Sequence, residues 1–298
     1  MDFPRNSATL FATHALVMAA AIAAAPMLCL AQSERPATNE ERVVSVILAT
    51  YNLRVPCDEP PYDWTNRLPR VLASIEAGRF SIFGVQEAVK RQLDDILAAT
   101  GFAKIGGGRN DFTDGGEHSC IVYDPNRFTL LDGGTFALSE TPGVAGSKSW
   151  KTGYPRIATW GKFRDAATGK DFCYYNTHLD NRSRLAREEG IKLIISHAKK
   201  NSGGLPLVLT GDFNASPASV TYATAAAFLR DAAKVSETVK SGPEATFHAY
   251  HRRRVPQIPI DFIFVSDGIR VKSFTVDGRK YCGDWPSDHY PVYAELVF

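Results

Sequence analysis

The chain lacks the features that would mark a membrane, polyanion-binding or metal-thiolate protein. No apolar run approaches the roughly 20 residues that span a bilayer; "ALVMAAAIAAA", before Pro26, stops at eleven. An excess of charge of one sign is also missing. The 34 Lys and Arg against 32 Asp and Glu leave a net charge of +2, so charge alone demands no polyanionic partner. The five cysteines contain no CxxC pair, which argues against a zinc ribbon or a thioredoxin-like centre, and no HExxH occurs. The glycine run Gly106 to Gly108 is not followed by Lys-Ser/Thr and is not a phosphate loop. Tandem repeats and low-complexity stretches are absent as well.

What is present begins with Arg5, the apolar run and the small residues "CLA" before Gln32. These read as an export signal over residues 1–31, which places the mature protein in the periplasm or outside the cell. Residues 32–42 are a polar lead-in, and the folded domain is expected over 43–298. Past the signal, Cys120 and Cys173 sit in apolar strand-like runs and read as inert core thiols. Cys57 and Cys282 fall in loops expected at one rim, where an oxidising compartment would let them pair.

Apolar periodicity gives a β-α-β-α opening: "VVSVILATYNLR", a helix over "NRLPRVLASIEAG" stopped by Gly78, "SIFGVQE", and a helix over "VKRQLDDILAATG" closed by Gly101. The middle is strand-rich, with "SCIVYD", "FTLLDGGTFALSE", "RIATWGKFRD" and "DFCYYNTHLD"; the turn-like "AATGK" predicts antiparallel pairing of the last two. A helix over Ser183 to Lys200, the strand "LPLVLTGDFN", a short helix beyond Pro217, and the strands "PIDFIFVS", "IRVKSFTVD" and "PVYAELVF" complete the chain. The expected fold is α/β: a four-layered sandwich of two mixed β-sheets packed face to face with outer helices.

The strand tips carry the chemistry. Asn52, Glu87, His178, Asp212 with Asn214, Asp261, and Asp288 with His289 all stand at the ends of apolar runs. Any one of them reads as a turn former or a satisfied polar side chain. Together they suggest a shared site, because buried polar groups without partners are costly. Hard oxygen donors without a thiolate cluster favour Mg²⁺ or Mn²⁺ over zinc. Such an ion beside imidazoles and further carboxylates suits phosphoester hydrolysis.

The ordered set "YNLR", "GVQEA", "NTHLD", "TGDFNASP", "IDFIFVS" and "SDHYPV" resembles the endonuclease/exonuclease/phosphatase superfamily over nearly all of Val43 to Phe298. The resemblance implies Glu87, Asn52 and Asp288 as the metal environment and Asp212 as the group that activates water. It implies Asn214 as a ligand of phosphate or of a second metal, His289 as a phosphate contact fixed by Asp261, and His178 as a second phosphate-facing imidazole. "PIDFIFVS" departs from the "WCDRIL"-like motif of 5-phosphatases, and nothing resembles the hydrophobic hairpin of sphingomyelinases. The closest motifs are those of deadenylase and nocturnin-like members and of secreted bacterial members. Arg109, Arg182 and Arg187, with Arg252 to Arg254, are candidates to grip phosphate; Trp285 is a candidate pocket wall. The reading is an exported phosphoester hydrolase, a phosphodiesterase acting on a small or nucleotide-like substrate as a monomer without stable membrane insertion. A secreted nuclease on DNA or RNA is the alternative, and a non-catalytic binding protein on the same fold is the alternative of another class.

Overall fold

The computed structural model describes residues 44–298, so the expected export signal and lead-in lie outside the described residues. The first apolar run forms β1 (Val46–Asn52), followed by α1 (Trp64–Gly78), β2 (Ile82–Gln86) and α2 (Lys90–Thr100). The strand-rich middle gives β3 (Ala103–Ile105), β4 (Ile121–Tyr123), β5 (Phe128–Ala137), β6 (Ile157–Asp165) and β7 (Asp171–His178). Then come α3 (Arg184–Asn201), β8 (Leu207–Asp212), α4 (Val220–Ala226), the two-residue β9 (Arg230–Asp231) and α5 (Ala232–Val235). The chain closes with β10 (Asp261–Val265), β11 (Arg270–Val276) and β12 (Val292–Val297).

These strands make two six-stranded mixed sheets, ordered β11-β12-β1-β2-β4-β3 and β5-β6-β7-β8-β10-β9. Three buried apolar clusters mark the interfaces of a four-layered sandwich. Val46, Leu48, Ile82, Tyr174, Val208 and Ile263 lie between the sheets. Trp64, Val71 and Ile75 of α1 with Leu93 and Ile96 of α2 cover the first sheet's outer face, and Ile191, Ile194 and Ile195 of α3 cover the second's. The expected fold is the observed one. Short β3 and β9 escaped the sequence reading because runs of two or three residues carry no period.

Local signals were mostly legible. Ser183 caps α3 by accepting from the Ala186 N–H, as an N-cap serine should, and Gly101 takes the left-handed turn (φ 71°) that closes α2. Gly78 is different. The left-handed residue after α1 is Arg79 (φ 54°), and Gly78 is needed because a Cβ there would stand 2.2 Å from the Phe80 ring. Cys120 and Cys173 are buried, and burial pushes their thiols up to about 12 and about 11. Cys57 and Cys282 are exposed and free, so the expected pairing is not made in this structure.

The sheets are joined by a buried polar clamp as well as by apolar contact. Asn176 on β7 reaches across with its amide nitrogen to the carbonyls of Val85 (2.9 Å) and Cys120 (3.1 Å), while its oxygen accepts from Gln86 (2.8 Å) and Thr210 (3.0 Å). Every donor and acceptor of that amide is spent, the condition under which a buried polar group stabilises a fold. Gly84 lies against it, since a Cβ there would sit 2.2 Å from the Asn176 oxygen. Asn176→Ala is expected to cost about 3 kcal/mol or more, because it strands several buried groups at once. Urea denaturation of the purified variant checks this through a lowered midpoint at unchanged slope.

Candidate active site

Register alone brings three of the expected residues abreast. β7 and β8 pair in parallel with His178 beside Asp212, and β8 pairs antiparallel to β10 with Asp212 beside Asp261. In the other sheet β1 and β2 pair with Asn52 beside Gln86, which puts Glu87 at the same tip. The pairing of Thr50 with Val292 brings the approach to β12, carrying Asp288 and His289, against the end of β1. Both tips open on one cleft of about 470 Å³, whose lining includes Glu87, His178, Asp212, Asn214, Asp288 and His289.

The hydrogen bonds assign states to these groups. Asp261 accepts from His289 Nδ1 at 2.9 Å, and that carboxylate, with Asp212 and Asp288 nearby, outweighs burial and holds the His289 imidazole well above its ordinary pKa, as a cation. His178 is the opposite case. Burial first, then the charges of Arg156, His289 and Arg109, push it well below its ordinary value, so it is neutral. Its Nε2 accepts from the Asn214 amide at 3.0 Å, which places the proton on Nδ1. Both imidazoles face the cleft, His289 as a cation and His178 as a neutral ring. Asn214, in a left-handed conformation (φ 48°), spends its amide nitrogen on His178 and the Leu179 carbonyl. Its oxygen is the atom left for a ligand.

Asp212 is buried, and burial together with the Asp261 charge pushes its carboxyl well above the usual carboxylate range, against the pull of His289. A carboxylate raised in this way is suited to taking a proton from water at neutral pH. The Asn52 oxygen is committed to the Arg54 N–H (3.0 Å), so its amide nitrogen faces Asp212 (3.1 Å) and Glu87 (3.3 Å). In this structure the Asn52 amide nitrogen therefore holds the two carboxylates in place.

Glu87 sits at a left-handed position (φ 61°), an uncommon conformation for a residue with a side chain and one that clusters at functional sites. Its oxygens and those of Asp288 flank the Arg54 guanidinium at 4.0 and 3.8 Å. The donor set fits a hard divalent ion: Asp288 Oδ1 is buried with no hydrogen-bond partner, and carboxylate oxygens are what Mg²⁺ and Mn²⁺ prefer. Donor atoms of Asp212, Asp261 and His289 also lie within 4.8 Å of one another. Within that trio His289 Nδ1 donates to Asp261 at 2.9 Å and its Nε2 stands 3.8 Å from Asp212.

The arginines and the tryptophan divide differently from expectation. Arg109 pairs with Glu117 at 2.7 Å behind His178. Arg182 stacks over Tyr154, Arg187 donates to the Asp180 carbonyl at 2.8 Å, and Trp285 packs against His248 and Tyr290. None of these four lines the cleft. Of the other expected arginines, Arg252 and Arg253 do line the cleft, and Arg54 joins them. Sequence reasoning also passed over Arg67, fully buried on α1, which donates to the carbonyls of Leu53, Arg54, Val55, Tyr62 and Pro286 and so fixes the loops that carry Arg54 and Asp288. Its place in an amphipathic helix gave no signal. Arg156, buried beside His178 just before β6, was also missed, since a lone arginine at a strand start carries no signal of its own; Arg54 was within reach, since it stands in "YNLR".

These residues match the model of the endonuclease/exonuclease/phosphatase family over residues 49–289. The chain belongs to that family. An endonuclease/exonuclease/phosphatase from Bacteroides vulgatus is 36% identical with a TM-score of 0.80, over 86% of this chain and 99% of that one. A mannosyl-6-phosphatase of Bacteroides thetaiotaomicron is 35% identical with a TM-score of 0.81, over 85% and 100%. Nocturnin of Drosophila melanogaster is 26% identical over 182 residues, 57% of this chain but only 27% of that protein's length. The fold and a phosphoesterase-type site are thus properties of this family member.

One pair at the family site's edge gives a stability test. Asp180 accepts from Thr152 Oγ1 and the N–H groups of Gly153, Arg182 and Ser183, and stands 3.5 Å from Arg156. Burial alone would raise its carboxyl, but these donors hold it down at about 2. A depressed folded-state pKa contributes stability that is complete above the unfolded value near 4 and lost as pH falls toward 2. Asp180→Asn is expected to be less stable than wild type by about 2 kcal/mol at pH 7. In denaturation curves at a series of pH values, that gap should close between about pH 4 and pH 2.

Proposed function

We propose that this chain is an exported, monomeric, Mg²⁺- or Mn²⁺-dependent hydrolase of small phosphate esters. The observation that carries the reading is the convergence, at one cleft, of Asp212 beside the Asp261–His289 pair and opposite Glu87 and Asp288. Asp212 takes the proton of a water aimed at phosphorus. His289, oriented by Asp261, donates to a phosphoryl oxygen as charge builds there. The His178–Asn214 pair holds the Asn214 oxygen toward the reacting groups. Glu87 and Asp288 would hold the divalent ion, which neutralises phosphoryl oxygens and lowers the barrier electrostatically.

The size of the cleft and the near-neutral net charge support a small substrate over a polymer. Similarity to a mannosyl-6-phosphatase widens the sequence-based preference for diesters to monoesters, sugar phosphates among them. Export rests on the sequence of residues 1–31. Monomeric action is supported by one chain supplying every site residue. Among the described residues no helix is long and apolar enough to cross a membrane.

The test is a panel of sugar phosphates, nucleotides, small diesters and oligonucleotides, each with Mg²⁺ and with Mn²⁺. Small esters are expected to be turned over, chelation to abolish activity, and Glu87→Gln or Asp212→Asn to lower kcat by about 10²- to 10⁴-fold with the fold intact by circular dichroism. Turnover that persists in excess chelator sinks the metal mechanism. A far higher kcat/KM on oligonucleotides, falling steeply with salt, turns the reading to a nuclease.

A further inference from the structure

Two buried polar atoms among the residues lining the cleft have no hydrogen-bond partner: Asp288 Oδ1 and the Tyr250 hydroxyl. They do not bond to each other. One is an acceptor suited to a cation, and the other is a donor with nothing to donate to. The Tyr250 side chain is buried, with only 7% of the residue exposed, and burial raises its pKa, so the phenol stays protonated.

The backbone that delivers it is unusual. Ala249, Tyr250 and His251 are consecutive non-glycine residues at φ 50°, 54° and 57°, a run of left-handed conformations that persists only where the surroundings impose it. Here they do. The N–H groups of His248 and Ala249 both donate to the Asp288 carbonyl (2.9 and 3.1 Å), and the Tyr290 N–H donates to Thr246 (2.7 Å). The segment is thus fastened to the backbone that carries Asp288 and His289. Tyr62 stacks on the Tyr250 ring at 3.9 Å between centroids, and Arg252 lies over the Tyr62 ring at 4.7 Å. Strain, backbone hydrogen bonds and stacking all fix the position of a hydroxyl that has no internal acceptor. An unpaired buried hydroxyl lowers the stability of the protein alone, and an acceptor on a bound group would satisfy it.

We propose that Tyr250 is a substrate-contacting residue whose hydroxyl donates a hydrogen bond to a phosphoryl oxygen of the bound ester. This rests on the phosphoester reading above. The donor is neutral and needs no proton transfer; it adds an uncharged contact to that of the cationic His289.

Tyr250→Phe removes the oxygen and keeps the ring stack. The wild type and the variant would be compared by Mn²⁺ titration calorimetry, by thermal unfolding, by inorganic phosphate binding in the presence of Mn²⁺, and by kcat/KM on the best small ester. Expected are unchanged Mn²⁺ affinity, an equal or higher Tm, phosphate binding weakened by about tenfold, and kcat/KM lowered by about 10- to 100-fold. Phosphate affinity and kcat/KM within twofold of wild type would overturn the proposal. A parallel fall in Tm and Mn²⁺ affinity would also overturn it, showing a structural hydroxyl, as would a wild type that binds no phosphate. If no ester is turned over but phosphate binds, the hydrolase reading fails while the phosphate comparison still decides the role of Tyr250.

Discussion

The Asn176 amide is the interaction on which the geometry of the site depends. It ties β7 of one sheet to the carbonyls of Val85 and Cys120 beside β2 and β4 of the other, two residues before His178 and close to Glu87. Apolar packing between sheets is non-directional and tolerates small sliding, whereas four hydrogen bonds to one planar amide do not. The clamp therefore sets how the tips of the two sheets face each other. The Tyr174 hydroxyl, bonded to the Ala49 carbonyl and Thr210, repeats the connection nearby.

Given that alignment, the site's electrostatics follow from burial and pairing. Asp212 and Asp261 are adjacent buried carboxylates that would repel if both were charged alone. A cationic His289 between them relieves this, and Asn52 supplies a neutral donor to Asp212 from the opposite sheet. His178 stays neutral chiefly because it is buried, with the nearby charges of Arg156, His289 and Arg109 pushing the same way. Two histidines at one cleft thus hold different charge states because their neighbours differ.

Loops do the remaining work, and buried groups make them rigid. Arg67 gathers carbonyls from both sides of the cleft mouth, and the 247–251 segment is fastened to Asp288 through backbone hydrogen bonds. Residues delivered by such loops, Arg54 and Tyr250 among them, are held nearly as firmly as those on strand tips.

The sequence by itself determined the layers of the fold, the strands whose tips carry Glu87, Asp212 and His289, and the family, because apolar periodicity and short motifs at strand ends are local signals. It did not determine the charge states of the two histidines, the orientation of the Asn52 and Asn214 amides, or which of the candidate arginines reach the cleft, where Arg252 and Arg253 do and Arg182 and Arg187 do not. Arg187 shows why. Seven residues past "NTHLD" it looked poised for phosphate, yet α3 turns it back onto the Asp180 carbonyl. Charge state, amide orientation and loop placement are set by neighbours far along the chain, such as Asp261 for His289 and Asp288 for Tyr250, and only the packed tertiary structure brings those neighbours within reach.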